Sequence, residues 1–146
     1  MKKAVFAAWF LVTVLTASFV GAHQGATGIV KERMDAFKRS QTQLKAAAKA
    51  AKSGEFETVE RLAQSLSEWG RIMPSTFPDG SLYPPSEASP DIWTDFARFT
   101  ALAEDFSASA DRLAVAATAQ DGQSVMNAIE AVGHSCKSCH KLFREK

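Results

Sequence analysis

The chain has 146 residues, of which 46% are hydrophobic and 23% are charged. This length and balance suit one globular domain with a single core. The formal net charge of +1 provides no strongly basic surface, which argues against nucleic acid as a partner.

The first 22 residues have the pattern of a secretory signal peptide. Met1-Lys2-Lys3 is a short basic start, residues 4–19 carry no charge, and Val20-Gly21-Ala22 matches the spacing of a signal peptidase site. The apolar run is shorter than the roughly 20 residues of a membrane-spanning helix, so a cleaved signal is favoured over an uncleaved anchor. We therefore expect export to the periplasm and a mature domain of residues 23–146, whose 15 basic and 16 acidic residues give a net charge of −1.

Two helices are predicted in the first half of this domain. The first runs from about Thr27 to Lys52 and ends at Ser53-Gly54; the second runs from about Glu55 to Ile72. Apolar residues recur at helical spacing in both and define the inward faces. The inward positions are Val30, Met34, Phe37, Leu44 and Ala48 in the first helix, and Phe56, Val59, Leu62, Ala63, Leu66 and Trp69 in the second.

A long connection is predicted from Pro74 to Pro90, because this segment holds all five prolines of the chain. Its Phe77, Leu82 and Tyr83 would either fold back on the core or make ordinary loop contacts. Ser89 and Pro90 have the pattern of a helix start.

Two further helices follow, from about Pro90 to Ala119 and from about Gln123 to Glu145, separated by Asp121-Gly122. The inward stripe of the third helix is Ile92, Phe96, Phe99, Ala103, Phe106, Ala110, Leu113 and Ala117. Four helices with two short connections predict an all-α fold, an antiparallel four-helix bundle with one long Pro-rich connection between helices two and three.

Both cysteines of the chain lie in the sequence Cys136-Lys137-Ser138-Cys139-His140 of the last helix. A redox dithiol is disfavoured, because such pairs follow a strand at a helix N-terminus, where the helix dipole lowers a thiol pKa. Zinc is disfavoured because a structural site needs four ligands. His134 lies about 200° around the helix from Cys136 and does not complete the set.

Covalent haem fits the spacing and the exported compartment. Cys136, Cys139 and His140 stand at positions i, i+3 and i+4, on one helix face. Two thiols at this separation can add to the two vinyl groups of one porphyrin, while the imidazole ligates the iron. We expect one covalent haem c.

An exported four-helix bundle with this motif near its C-terminus resembles the cytochrome c' family. The resemblance rests on "VKERMDAF" (Val30 to Phe37), "PDIW" (Pro90 to Trp93) and "CKSCHKLFR" (Cys136 to Arg144). It implies that His140 is the proximal ligand of the haem iron, that Arg33 pairs with a haem propionate, and that Arg144 lies near the proximal side. The structural alternatives are a solvated charge for Arg33 and a cation at a helix C-terminus for Arg144.

The resemblance also identifies the residue four positions after Arg33 as the one that faces the open side of the iron. That residue is Phe37, which has no lone pair to donate, so a five-coordinate haem with an apolar wall is favoured. Met34 lies one turn before Phe37, and its thioether is the alternative sixth ligand. In that case the protein would be a six-coordinate, low-spin electron carrier.

The expected function is therefore binding of small gases such as NO or CO, electron transfer with periplasmic redox partners, or both. Catalysis is not expected, because no distal acid or base is predicted near Phe37. The resemblance allows a homodimer through the first two helices, although the outer face of helix one is rich in lysine and suited to water. Its lysines are Lys31, Lys38, Lys45, Lys49 and Lys52.

Overall fold

A computed structural model describes residues 25–145, so the predicted signal segment lies outside the described residues. The elements are α1 (Gly28–Lys52), α2 (Phe56–Ile72), a 3-10 turn (Met73–Thr76), α3 (Asp91–Thr94), α4 (Phe96–Thr118) and α5 (Gly122–Phe143). The long helices α1, α2, α4 and α5 form the predicted four-helix bundle. Helix α2 packs between α1 and α4, α4 packs on α5, and α1 and α5 are the least closely packed neighbours. None of the described helices is long and apolar enough to cross a membrane.

The ends of α1 and α2 agree with the sequence pattern to within one residue. Gly54 has φ of +72°, a left-handed conformation that favours glycine after a helix. The N–H groups of Gly54 and Glu55 donate to the carbonyl oxygens of Ala51 and Ala50, which satisfies the last turn of α1 and reverses the chain.

The inward face of α1 differs from the predicted stripe. Arg33 is only 1% exposed, whereas Met34 and Ala48 are half-buried. The other buried positions of the helix are Val30, Ala36, Ala47 and Ala50. The interpretation of Arg33 as a solvated helix charge was therefore wrong, because the loop after α2 covers this side chain.

The predicted third helix is divided at Asp95 into α3 and α4. Asp95 has φ of −131° and ψ of 53°, and its carboxylate accepts a hydrogen bond from the N–H of Arg98. This side chain caps α4 and competes with continuation of the helix. The break turns Phe96 outward, where it is 41% exposed, so its assignment to the buried stripe was wrong.

The Pro-rich connection is held at both ends. Phe77 is buried at 5% exposure and packs on Phe99 with ring centroids 4.8 Å apart, whereas Leu82 and Tyr83 stay exposed. At its far end, the N–H of Ser89 donates to the carbonyl oxygen of Phe143 at 3.0 Å. The connection therefore runs from the end of α2 to the C-terminal end of α5.

Candidate functional site

The Cys-x-x-Cys-His motif lies in the last two turns of α5. This helix is capped at its start by Asp121, whose carboxylate accepts from the N–H groups of Gln123 and Ser124. Cys136 and Cys139 are half-buried and pack against the core, and His140 is more exposed. The helix therefore places two thiols beside the apolar interior of the bundle and an imidazole closer to solvent.

The two thiols are unpaired and weakly acidic. Burial raises the pKa of Cys136, and burial followed by the neighbouring Cys136 raises the pKa of Cys139 to about 11. Both thiols therefore stay protonated near neutral pH. A reactive dithiol needs the opposite shift, because the thiolate is the nucleophile.

A zinc site receives no support from the geometry. Within residues 25–145 no group of three or more His, Cys, Asp or Glu side chains is arranged to hold a metal ion. His134 is exposed and lies 3.7 Å from the carboxylate of Glu130, one turn earlier on the same helix. His23, the remaining histidine, lies outside the described residues.

Phe37 stands beside His140 across the seam between α1 and α5. Its ring centroid is 6.4 Å from that of His140, with the ring planes inclined by 67°. The same phenyl ring meets Trp69 at 5.3 Å and Phe77 at 6.3 Å. Phe37 of α1 thus faces the imidazole, and Trp69 of α2 and Phe77 of the connection pack against Phe37 to form an aromatic wall.

Met34 is placed differently from Phe37. It is half-buried, and it is not one of the partly buried apolar side chains that pack against the core among the described residues, whereas Phe37 is. The structure brings Phe37 next to His140.

Arg33 is the most deeply placed charge of the region. One terminal nitrogen donates to Ser81 Oγ at 2.7 Å and to the carbonyl oxygen of Thr76 at 3.3 Å. The other donates to the carbonyl oxygen of Ser81 at 2.6 Å and to Ser86 Oγ at 2.9 Å. The guanidinium also lies 4.4 Å from the centre of the Phe77 ring.

All of these acceptors are neutral. Burial lowers the pKa of Arg33, with the phenol of Tyr83 acting in the opposite direction, but a guanidinium keeps its charge in proteins. Within residues 25–145 no carboxylate forms an ion pair with it. A buried cation without a counter-ion is costly, so this location favours the approach of an anionic group.

Arg144 is the C-terminal cap of α5: its backbone is extended, and its N–H donates to the carbonyl oxygen of His140, one turn earlier, at 3.3 Å. Its guanidinium Nε donates to the carboxylate of Glu87 at 2.7 Å. The charge of Arg144 is nevertheless close enough to affect His140. The pKa of His140 is lowered first by desolvation and then by Arg144, and Glu87 opposes the shift.

A haem group fits the donor set and the surroundings of the site. Two neutral thiols and an imidazole share one end of α5, and the facing wall is aromatic. Arg33 offers a buried positive charge, and the indole Nε1 of Trp69 is buried with no hydrogen-bond partner among the described residues. A flat apolar ligand with carboxylate arms would match these features.

The family model for cytochrome c' matches residues 28–144. The chain belongs to the cytochrome c' family. Membership implies a haem c cofactor, in agreement with the site described above. The resemblance noted in the sequence and the four-helix bundle are therefore confirmed.

Relatives and solved structures agree with this assignment. Cytochrome c-556 from Rhodopseudomonas palustris is 30% identical over 138 residues, covering 91% of each chain. Cytochrome c' from Rubrivivax gelatinosus is 39% identical over 61 residues, which cover 42% of this chain and about half (47%) of that protein.

Two solved structures are of mutants of cytochrome c prime from Alcaligenes xylosoxidans. A nitric oxide complex has a TM-score of 0.72 at 26% identity, covering 81% of this chain and 94% of that one. A carbon monoxide-bound variant has a TM-score of 0.73 with the same identity and coverage.

The serines and the glutamate that organise the connection were missed from the sequence. Ser81 and Ser86 bind Arg33, and Glu87 binds Arg144, across 48 to 57 positions of the chain. The available signal was the run of small hydroxyl residues among the prolines, which is also typical of an ordinary loop. Their roles depend on tertiary contacts that periodicity does not encode.

Proposed function

We propose that this protein carries one haem c, attached by thioether bonds to Cys136 and Cys139 and ligated on its proximal side by His140. In each attachment a thiol S–H adds across one vinyl C=C bond. The observation that carries the proposal is the pairing of this motif with the Phe37 ring, which faces His140 at 6.4 Å. Bound haem would supply a coordination position for a small gas and a one-electron couple.

The residues around the open side favour a five-coordinate iron. Phe37 has no lone pair, and its partners Trp69 and Phe77 are aromatic. This wall offers no acid–base group for catalysis, so binding of a small gas, electron transfer, or both is the proposed role. The nitric oxide and carbon monoxide complexes of related proteins support small diatomic gases as ligands.

Arg33 and Arg144 have different proposed roles. Arg33 is buried without a counter-ion and would neutralise a haem propionate. Arg144 is held by Glu87 at the end of α5, where its charge disfavours protonation of His140. A neutral imidazole is the form that ligates iron.

We also propose export to the periplasm, where haem c would be attached and redox partners met. The signal-like pattern of residues 1–22 supports this location.

The attachment is tested by producing the protein with a working cytochrome-maturation system and measuring its mass and pyridine haemochrome spectrum. The expected product carries the mass of one haem and the spectrum of two thioether links. Cys136→Ser should leave one link, and Ser138→Ala, which changes an exposed residue between the cysteines, should leave both. Colourless protein of polypeptide mass would overturn the proposal.

A further inference from the structure

Trp69 carries a buried hydrogen-bond donor that the polypeptide does not satisfy. The residue lies near the end of α2 and is 8% exposed. Its Nε1 is the one fully buried side-chain nitrogen or oxygen without a partner in residues 25–145. Buried polar groups in native proteins are nearly always hydrogen-bonded, so this exception calls for an acceptor.

Trp93 provides the internal comparison. Its indole Nε1 donates to the carbonyl oxygen of Phe77 at 3.1 Å, so the same side chain in the same aromatic region is satisfied by the backbone. Trp69 therefore differs from Trp93 in having no hydrogen-bond acceptor within reach of its indole N–H in the described part of the chain. Trp69 packs against the ring of Phe37, with the ring centroids 5.3 Å apart and the ring planes at 89°.

The unsatisfied donor borders the proposed haem site. Phe37 joins Trp69 to His140 on one side, and on the other it contacts Phe77 at 6.3 Å. Phe77 in turn lies under the guanidinium of Arg33 at 4.4 Å. An unpaired N–H donor and a cation without a counter-ion thus flank one aromatic cluster, and a carboxylate would satisfy both kinds of group.

We propose that the indole N–H of Trp69 donates a hydrogen bond to a propionate carboxylate of the haem, an inference that rests on the proposed function above. Haem offers two acceptors of different kinds, its propionates and a gas bound to its iron. The propionate is assigned because it is present in every ligation state and because the charge of Arg33 favours a carboxylate in this region.

The test compares Trp69→Phe with Trp93→Phe in the haem-loaded protein. Phenylalanine keeps an aromatic ring at the position, but its ring is smaller than indole and has no N–H to donate. The expected result for Trp69→Phe is a shifted propionate bending band in the resonance Raman spectrum and a lower reduction potential, because a carboxylate that loses a donor stabilises ferric iron. Trp93→Phe should leave both close to wild type.

A carbon monoxide measurement separates the two acceptors. If Trp69 bonds a propionate, the C–O stretch of the carbon monoxide complex stays the same in Trp69→Phe. A changed C–O stretch with an unchanged propionate band would assign the donor to the gas and overturn the proposal. No change in the propionate band, the potential or the C–O stretch would also overturn it.

A second measurement needs no change at position 69. In the Trp93→Phe holoprotein, Trp69 is the remaining indole of residues 25–145, and its ultraviolet resonance Raman band should report a strongly bonded N–H. A band typical of a free N–H would refute the inference even if Trp69→Phe failed to fold. The haemochrome assay distinguishes the two levels: wild type without haem refutes the proposed function, whereas haem with a free indole refutes this inference alone.

Discussion

The Phe37 ring on α1 and the His140 ring on α5 lie 6.4 Å apart between centroids, inclined at 67°. Phe37 lies in the first helix of the bundle, and His140 lies near the end of the last one. The residue opposite the imidazole therefore depends on the register of α1 relative to α5. In a haem-loaded protein, this register would decide which side chain limits access to the iron.

The first prediction concerns the sixth position. Met34→Ala should leave the absorption spectrum unchanged, because Phe37, which has no lone pair, is the side chain in contact with His140. Phe37→Met should give a low-spin spectrum, because it introduces a thioether, a good haem ligand, at the facing position. Absorption spectra of the oxidised and reduced proteins measure both effects. A low-spin wild type that becomes high-spin in Met34→Ala would show that Met34 is the ligand.

The second prediction concerns the buried guanidinium. Arg33→Lys should lower the free energy of unfolding by about 2 kcal/mol, since an ammonium cannot reproduce the planar fork that binds Ser81 and Ser86. Urea denaturation followed by circular dichroism measures the change. Arg39→Lys, at an exposed position of the same helix, is the control and should stay within about 0.5 kcal/mol of wild type. Equal stabilities for the two variants would argue against an anchoring role for Arg33.

The third prediction concerns the close approach of α2 and α4. A Cβ at Gly70 would lie 2.8 Å from Ser107 Cβ and 3.0 Å from Ser107 Cα. The helix backbones would have to separate, so Gly70→Ala should destabilise the protein by about 1–3 kcal/mol despite the higher helix propensity of alanine. Gly122→Ala is the matched control, because its Cβ would meet Phe56 at an ordinary 3.8 Å. Thermal unfolding of both variants tests this, and an unaffected Gly70→Ala would contradict the packing.

The fourth prediction concerns the cap of the helix that carries the motif. The pKa of Asp121 is lowered, first by the hydrogen bond from the Ser124 side chain and then by that from the Ser124 backbone. Because the folded pKa lies below the unfolded one, the stabilisation is present above the unfolded value of about 3.9. It is lost as the pH falls through the folded pKa.

Asp121→Ala should therefore lower the melting temperature near neutral pH, and the difference from wild type should shrink once the medium is more acidic than the unfolded pKa. Melting curves across this pH range provide the measurement. Asp105→Ala, which changes an exposed aspartate within α4, should cause no comparable loss. A deficit in Asp121→Ala that is independent of pH would exclude the carboxylate as its source.

Helix positions followed from the sequence because apolar spacing and helix-stop residues act locally. The break at Asp95 was missed because the apolar stripe continues through it, although Asp is a preferred N-cap residue and Asp95 accepts a hydrogen bond from the backbone N–H of Arg98. Phe96 was then placed on the wrong side. A periodic stripe identifies a helix but does not show where a capping side chain interrupts it.

For the site too, local features could be predicted from the sequence and features that depend on distant residues could not. Cys136, Cys139 and His140 are close in sequence, so helical geometry alone brings them to one end of α5. The burial of Arg33 could not be predicted, because it depends on Ser81 and Ser86 in a connection without periodicity. The sequence pattern likewise identified Trp69 only as an inward apolar position, and it did not show that its indole N–H would lack an acceptor among the described residues.

The most direct test of the central claim is the absorption spectrum of the reduced holoprotein before and after addition of carbon monoxide. For a haem that is ligated by His140 alone and has Phe37 on its open side, we expect a five-coordinate, high-spin spectrum that changes on binding the gas. A low-spin spectrum that is indifferent to carbon monoxide would contradict this account.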